Sequence, residues 1–598
     1  MGRKKLDPIT LAVLRSGLIN AVAEMKAVVI RTAYSNLWKE AGDLSCGLLT
    51  SSGELAVQGV GDIPIHLASM PMSLGACLKR IPPATLEPGD VVYQNDPYQG
   101  NNHLPDFIMG KPVFFDGRIV AYTAVRGHYV DIGGGGPGSY SATMPDIYAE
   151  GLRIPPVRIF EKGVINQDIV DVLLHNTRNS RERYGDLRSQ FAGCVAAERR
   201  VISFCEKYGA KVFEAAMKEI IDAGERLTRL AIEKIPDGVY SFEDHCDNDA
   251  ITEVPIKIAV QVSVKGSDIE VDFNGSSPQV RGGMNAPIAV TVSATCYAIK
   301  CLTDPENEPN SGSYRPIKVV APIGSVVNPI APAPVIAGNH ETASRIADAI
   351  IGALAKALPD RVCAAGSGSS GILSLGTRIR DGLRERELLL VEPHGSGQGA
   401  NCDGDGVNAR RVSVGNTGNT PCEALEISFP IHILRYAISE DGGGAGRLRG
   451  GTGILREVRL DHDATVTLTA DRAKFGPYGL FGGLAAPKAE FWVRLPDGSQ
   501  QILSSKTAPL HFPKGTIVHF RCAGGGGYGP PRDREIERIQ ADLDDGYVSL
   551  DAVQKLYDVT VKHQPDRPEG PWVAIPQQQP SSPAQPGERR ITEPEKAE

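Results

Sequence analysis

The sequence predicts a mixed α+β, multidomain fold: an N-terminal α/β domain, a central α/β region, and a β-rich, glycine-rich C-terminal region. Three observations carry this expectation. The 598 residues exceed what one hydrophobic core usually serves. Segments with apolar residues at helical spacing alternate with segments of period-two alternation. The chain also holds 66 glycines and 43 prolines, and many of the glycines fall in short clusters flanked by apolar strands, as tight turns require.

Asp7-Pro8 opens the first helix, with Asp as N-cap, Pro in the first turn, and Leu14, Leu18, Val22, Met25 and Val29 at helical spacing. Short strand-like runs follow at 46–49 and 55–58, joined by the turn Ser51-Ser52-Gly53, and again at 91–93 and 118–126. Residues 167–235 read as helix-rich, and Pro236-Asp237-Gly238 marks a boundary. Beyond it Ile256, Ile258, Val260 and Val262 alternate onto one strand face, and helical stretches are expected at 286–302 and 341–357. Residues 427–522 read as mostly β, with short helices at 532–543 and 549–557. The expected domains are therefore 1–236, 237–426 and 427–562. Residues 563–598, with eight prolines in the last 35 residues, are expected to be a disordered tail.

Composition excludes several function classes. The 63 Lys+Arg against 71 Asp+Glu leave a formal charge of −8, the wrong sign for a nucleic-acid surface. There is neither a membrane-length apolar run nor a signal-peptide core, so a cytoplasmic protein without membrane contact is expected. The 11 cysteines contain no Cys-x-x-Cys pair and read as reduced thiols. No G-x-x-x-x-G-K-[ST] loop is present and no Rossmann fingerprint follows a strand, so neither ATP nor a nicotinamide or flavin is expected on this chain. The glycine clusters are read instead as close backbone approaches to another chain or to a metal pocket.

The densest chemical signal runs from Asn95 to Asp131, through NDPYQGNNHLPD and RGHYVDIGGGG. His103 and Asp106 are three residues apart, and His128 ends a strand-like run. Two imidazoles with a carboxylate suit a borderline divalent ion such as Zn, Mn or Fe. The competing reading has Asp106 capping a helix and both histidines satisfying loop backbone. Spacing alone leaves both open, and leaves a fourth ligand unassigned.

The blocks GDLSCGLLTSSGELAVQG, IPIHLASMP, NDPYQGNNHLPD, GHYVDIGG, IYAEGLRIPP, NTPCEALE, DGGGAGRLRGG and GGGGYGPP occur in order from about residue 7 to about 560. Together they resemble the hydantoinase B/oxoprolinase family, which includes N-methylhydantoinase B, caprolactamase β and the large subunits of acetone and acetophenone carboxylases. The resemblance implies metal ligands at Asp43, His103, Asp106 and His128, with Asp62 and Glu40 as substitutes for Asp43. It implies a hydantoinase A-type partner that binds ATP and Mg and phosphorylates the substrate, in a heterotetramer or larger assembly. It also implies a small-molecule substrate: a cyclic amide for hydrolysis, or alternatively a ketone for ATP-dependent carboxylation. Asp43, where the carboxylases have Glu, and IYAEGLRIPP favour the hydrolase branch.

Other residues carry two readings each. His66 lines the pocket or is a satisfied core histidine. Asp131, three residues after His128, either holds that imidazole or caps the glycine turn. Asn95 is a catalytic or supporting candidate. His394 is weighed for substrate or partner contact. Cys46 and Cys422 are weighed as nucleophiles against buried thiols, and Cys402 lies in a CDGDG run without full calcium-loop spacing.

Overall fold

The computed structural model describes residues 6–576, apart from 382, 383, 412, 565, 566, 568 and 569. The helix Pro8–Thr32 starts where Asp7 accepts from the Thr10 amide at 2.9 Å, and it buries Leu14, Leu18, Val22, Met25 and Val29. That face packs on the helix Ser180–Tyr208, and the two together cover one side of a seven-stranded sheet.

Every pairing in this sheet is antiparallel, in the spatial order Leu55–Gln58, Leu44–Thr50, Arg118–His128, Asp106–Phe115, Val91–Gln94, Val157–Glu161, Val164–Ile165. The turn at 51–53 closes the first hairpin, with Gly53 at φ 86°. The helix Ser69–Arg80 covers the other face through Met70, Leu74 and Cys77. Because both faces are covered, the central strands are buried almost throughout and lose the alternation of a one-sided sheet. The register sets Asp106 opposite His128, and Leu44 opposite Gly127, at one end of the sheet.

The central sheet, in the order Ile317–Val320, Asp268–Asp272, Ile256–Lys265, Gly238–Cys246, is packed by the helices Ile288–Thr303 and Ala343–Leu354. Ile256, Ile258, Val260 and Val262 are buried on one face, as their alternation predicts. The main core cluster runs on past Pro236 and includes Leu18, Val125, Ile258 and Ile346.

Two further sheets of four and five strands enclose a second core around Leu375, Val458, Leu468 and Phe520. The four-stranded one recruits Ile372–Asp381 and Arg384–Pro393 from before residue 427. Here the glycine clusters pack on one another within this chain. Gly525 donates to Gly451 O and Gly444 to Gly525 O, both at 2.8 Å, and a Cβ on Gly525 would overlap the Gln398 carbonyl.

The disorder expected from residue 563 does not begin there. Trp572–Pro576 pairs antiparallel with Val559–His563, and Ala574 joins a small core with Ile539, Val553 and Tyr557. Gln540 clamps the strand by donating to Trp572 O at 3.1 Å and accepting from Ala574 N at 2.8 Å. The local apolar run Trp572 to Ile575 outweighs the Pro/Gln composition around it. Residues 577–598 lie outside the described residues. Among the described residues, no helix is long and apolar enough to cross a membrane.

Candidate metal centre

The loop from Asn95 to Asp106 has little backbone pairing of its own, so side-chain amides hold it. Asn95 Nδ2 donates to Leu104 O at 2.7 Å and to Leu152 O at 2.8 Å, and its Oδ1 accepts from Ile154 N at 2.6 Å. Asn101 Nδ2 donates to Asn95 O at 3.1 Å and to Asp106 O at 2.5 Å. Thus fixed, the loop delivers His103 beside the sheet end where Asp106 and His128 already face each other.

The three residues are buried, and one ligand atom from each lies within 4.8 Å of the others. Asp106 Oδ1 is 3.2 Å from both His103 Nε2 and His128 Nδ1, and those two nitrogens are 3.1 Å apart. His66 Nε2 reaches Asp106 Oδ2 at 3.2 Å, while its Nδ1 meets Ser45 Oγ at 3.0 Å. His103 Nδ1 faces the Ile336 carbonyl at 3.0 Å. A carbonyl only accepts, so Nδ1 carries the proton. In the neutral ring this leaves the Nε2 lone pair aimed at Asp106 and His128. Burial works against charge on both His103 and Asp106, yet their mutual attraction and hydrogen bonds outweigh it. His103 is held above the usual imidazole range, and Asp106 well below the usual carboxylate range.

Asp106 and His128 line a small cavity of ≈ 50 Å³. Asp43 and His66 line it, as do Tyr140, Asn339, His340 and Arg411. Asp43 is tied to the centre through its backbone, accepting from His128 N at 3.2 Å. Its carboxylate shares the cavity without joining the compact trio. Asn339 Nδ2 donates to His103 Nε2 at 3.3 Å, and the Tyr140 ring lies 5.6 Å from His128 and 5.7 Å from His340. Asn339 and His340 belong to a π-turn, Gly338–Thr342, that leads into the helix Ala343–Leu354. Such turns swing side chains off the regular helical faces. Sequence reasoning passed over Tyr140, Asn339, His340 and Arg411. The run Asn339-His340-Glu341, three chemically capable side chains ahead of a helix, was the available signal for two of them.

The family model for hydantoinase B/oxoprolinase matches residues 7–531. The chain belongs to the hydantoinase B/oxoprolinase family. It is 33% identical over 564 residues to the caprolactamase subunit beta of Pseudomonas jessenii, covering 93% of this chain and 96% of that one. Its structure matches that of the ATP-dependent caprolactamase from Pseudomonas jessenii with TM-score 0.88 and 31% identity, over 94% of this chain and 97% of the other. Nucleotide-free acetone carboxylase matches with TM-score 0.88 at 19% identity, over 95% of this chain and 81% of that one, which is a likeness of fold.

The remaining candidates of this hydantoinase B/oxoprolinase chain fall into place around the trio. Asp131 caps the glycine turn: its Oδ1 accepts from Gly133 N at 3.1 Å and Arg178 N at 2.9 Å, and its Oδ2 pairs with Arg178 at 2.6 Å. Asn95 pins the loop, as described. Asp62 pairs with Lys26 at 2.8 Å and accepts from Cys46 N and Gly59 N, while Glu40 is exposed. His394 Nδ1 donates to the Gly371 carbonyl at 2.7 Å, and its ring stacks on Phe520. Cys46 is buried, its thiol pushed well up by that burial. Cys402 donates to Asp360 O, and Cys422 is half-buried at the start of a short helix.

Glu150 supports the trio from behind. Its Oε1 accepts from Val335 N at 2.6 Å and Ile336 N at 2.8 Å, and Ile336 O is the acceptor for His103. Burial, outweighing those two amides, pushes its carboxyl from 4.5 to about 8. The folded chain therefore keeps a proton that the unfolded chain releases. Stability from this group is full below the unfolded pKa and falls by about 1.4 kcal/mol per pH unit until the folded pKa is passed. Glu150→Gln is expected to flatten the stability profile between pH 5 and 8, on the order of those pKa limits. Denaturant titrations at several pH values check this, and parallel wild-type and variant profiles would contradict it.

Proposed function

We propose that this chain is the metal-bearing subunit of an ATP-dependent amidohydrolase, acting on a cyclic amide that a hydantoinase A-type partner has phosphorylated with ATP and Mg. The observation that carries the reading is the buried His103–Asp106–His128 trio, of which Asp106 and His128 line a small cavity. The donor set fits a divalent ion, zinc or manganese or iron: two imidazoles, an ionised carboxylate, and a backbone carbonyl fixing the tautomer of His103. His128 Nε2 and Asn339 Oδ1 are buried there without hydrogen-bond partners among the described residues.

When bound, such an ion supplies Lewis acidity toward a water or an amide oxygen. The chain's own residues do the rest. His103, Asp106 and His128 hold the ion, with Asp43 as the fourth ligand by family resemblance. His66 holds Asp106 Oδ2 from the far side. Tyr140 and Asn339 wall the cavity and limit its water. An unstrained amide is a poor electrophile, so activation on a partner gives this subunit its role in the sequence of steps. The name "subunit beta" of the caprolactamase relative supports a partner. The carboxylase alternative shares fold at lower identity, and no feature of the cavity favours it over hydrolysis.

Reconstitution with the partner subunit tests this. ATP cleavage by the pair should rise with a hydantoin, lactam or 5-oxoproline and should not require bicarbonate. Stimulation only by a ketone with bicarbonate would establish the carboxylase instead. Micromolar ATP affinity of this chain alone would overturn the division of labour.

A further inference from the structure

Arg411 is the sole Lys or Arg among the described residues that line the cavity. Its hydrogen bonds go to neutral hydroxyls: NH1 donates to Thr417 Oγ1, and NH2 to Ser370 Oγ at 2.9 Å. Among the described residues no carboxylate comes within ion-pair distance of it. Arg126 is also held by neutral groups, but it is fully buried and takes Ser69, Ser73, Asn102 and the His66 carbonyl as partners, away from the cavity lining. Other buried arginines are paired. Arg345, Arg456, Arg472 and Arg534 each contact at least one carboxylate. Asp43, Glu341 and Glu392 act on Arg411 only from beyond contact, and burial lowers its pKa. Arg411 is half-buried, and a guanidinium at a cavity wall with no ionic partner is free to take an anionic ligand.

We propose that Arg411, oriented by Ser370 and Thr417, binds an oxyanion of the substrate, a phosphoryl or a carboxylate group, on the wall of the cavity that Asp106 and His128 also line. The two hydroxyls fix the plane of the guanidinium, and two of its five N–H donors are spent on them, leaving three for a forked contact. The cavity size suits the class of ligand. A volume of ≈ 50 Å³ has room for a few water-sized groups, enough for one small planar or tetrahedral anion. Asn339, whose Oδ1 is buried and unpartnered, and His340, whose Nε2 is likewise unpartnered, face the same space and can contact the rest of the bound molecule. This inference rests on reading the cavity as the reaction site, and it names the handle by which that site holds its substrate.

The test uses the full chain, both metal-loaded and metal-stripped, titrated calorimetrically with inorganic phosphate and, separately, with acetate. Wild type is expected to bind one or both, phosphate alone marking a phosphoryl site and acetate alone a carboxylate site. Arg411→Met is expected to weaken that binding by about tenfold or more, since hydrogen bonds to a charged group contribute roughly 1.5–3 kcal/mol. Arg411→Lys keeps the charge without the fork, and should fall between the two, which guards against a folding defect in the Met variant. Metal content, measured in parallel, separates the two readings. Unchanged anion affinity in Arg411→Met, or no binding of either anion to wild type in both metal states, would overturn the oxyanion site whatever the metal result. Failure to hold metal, with the Arg411-dependent anion affinity intact, would count against the metal reading alone.

Discussion

His103→Ala is expected to strip the metal from the chain and to reduce turnover of the reconstituted enzyme by more than ~100-fold, the upper end of what even indirect supports of a metal site cost. Four contacts run through this one ring: Nε2 to Asp106, His128 and Asn339, and Nδ1–H to Ile336 O. Removing it leaves one imidazole, His128, with Asp106 and the more distant Asp43, a weaker donor set than two imidazoles and two carboxylates. The rest of the fold should survive, because the loop is pinned independently by Asn95 and Asn101. Elemental analysis alongside circular dichroism checks both halves. A variant that keeps its metal and its turnover would show that His103 is not a ligand.

Arg345→Leu is expected to lower stability by about 3–5 kcal/mol, the usual result of removing one partner from a buried ionic network. Arg345 is fully buried and lies 3.1 Å from Asp348, 3.4 Å from Asp471 and 3.7 Å from Asp244. Arg472 reaches Asp244 at 3.2 Å and Asp348 at 3.0 Å, and Lys506 reaches Asp471 at 2.9 Å. The network ties the strand Gly238–Cys246 and the helix Ala343–Leu354 to the C-terminal sheets. Without Arg345, three carboxylates share two cations in a water-poor interior. Since that helix begins at the π-turn carrying Asn339 and His340, the cavity wall should loosen as well. Urea unfolding measures the loss, and a change below about 1 kcal/mol would mean the network relaxes freely.

Much of this was legible in the sequence for local reasons. Asp7-Pro8 and the apolar spacing located the first helix, and the alternation from Ile256 to Val262 located a one-sided strand. His103, Asp106 and His128 could be grouped because they sit within one loop and one antiparallel pair, where sequence neighbourhood and spatial neighbourhood coincide. His128 and Arg411 are separated by hundreds of residues, and nothing in their local spacing says that the fold brings them to one cavity. Asn339 and His340 were hidden by the π-turn, which breaks the helical period used to find faces. Asp131 misled in the opposite way. At i+3 from His128 it suggested a shared face, but the backbone there is a glycine turn, and its carboxylate goes to Arg178. The strand Trp572–Pro576 was lost because composition averages over a window longer than the strand.

The central claim is that His103, Asp106 and His128 hold a divalent metal, and anomalous scattering from crystals of the protein purified without chelator tests it most directly. The expected result is one strong peak per chain within coordination distance of His103 Nε2, Asp106 Oδ1 and a ring nitrogen of His128, about 2.0–2.2 Å from each. A metal-supplemented crystal with no peak at that position, or with its peak on other side chains, would contradict it.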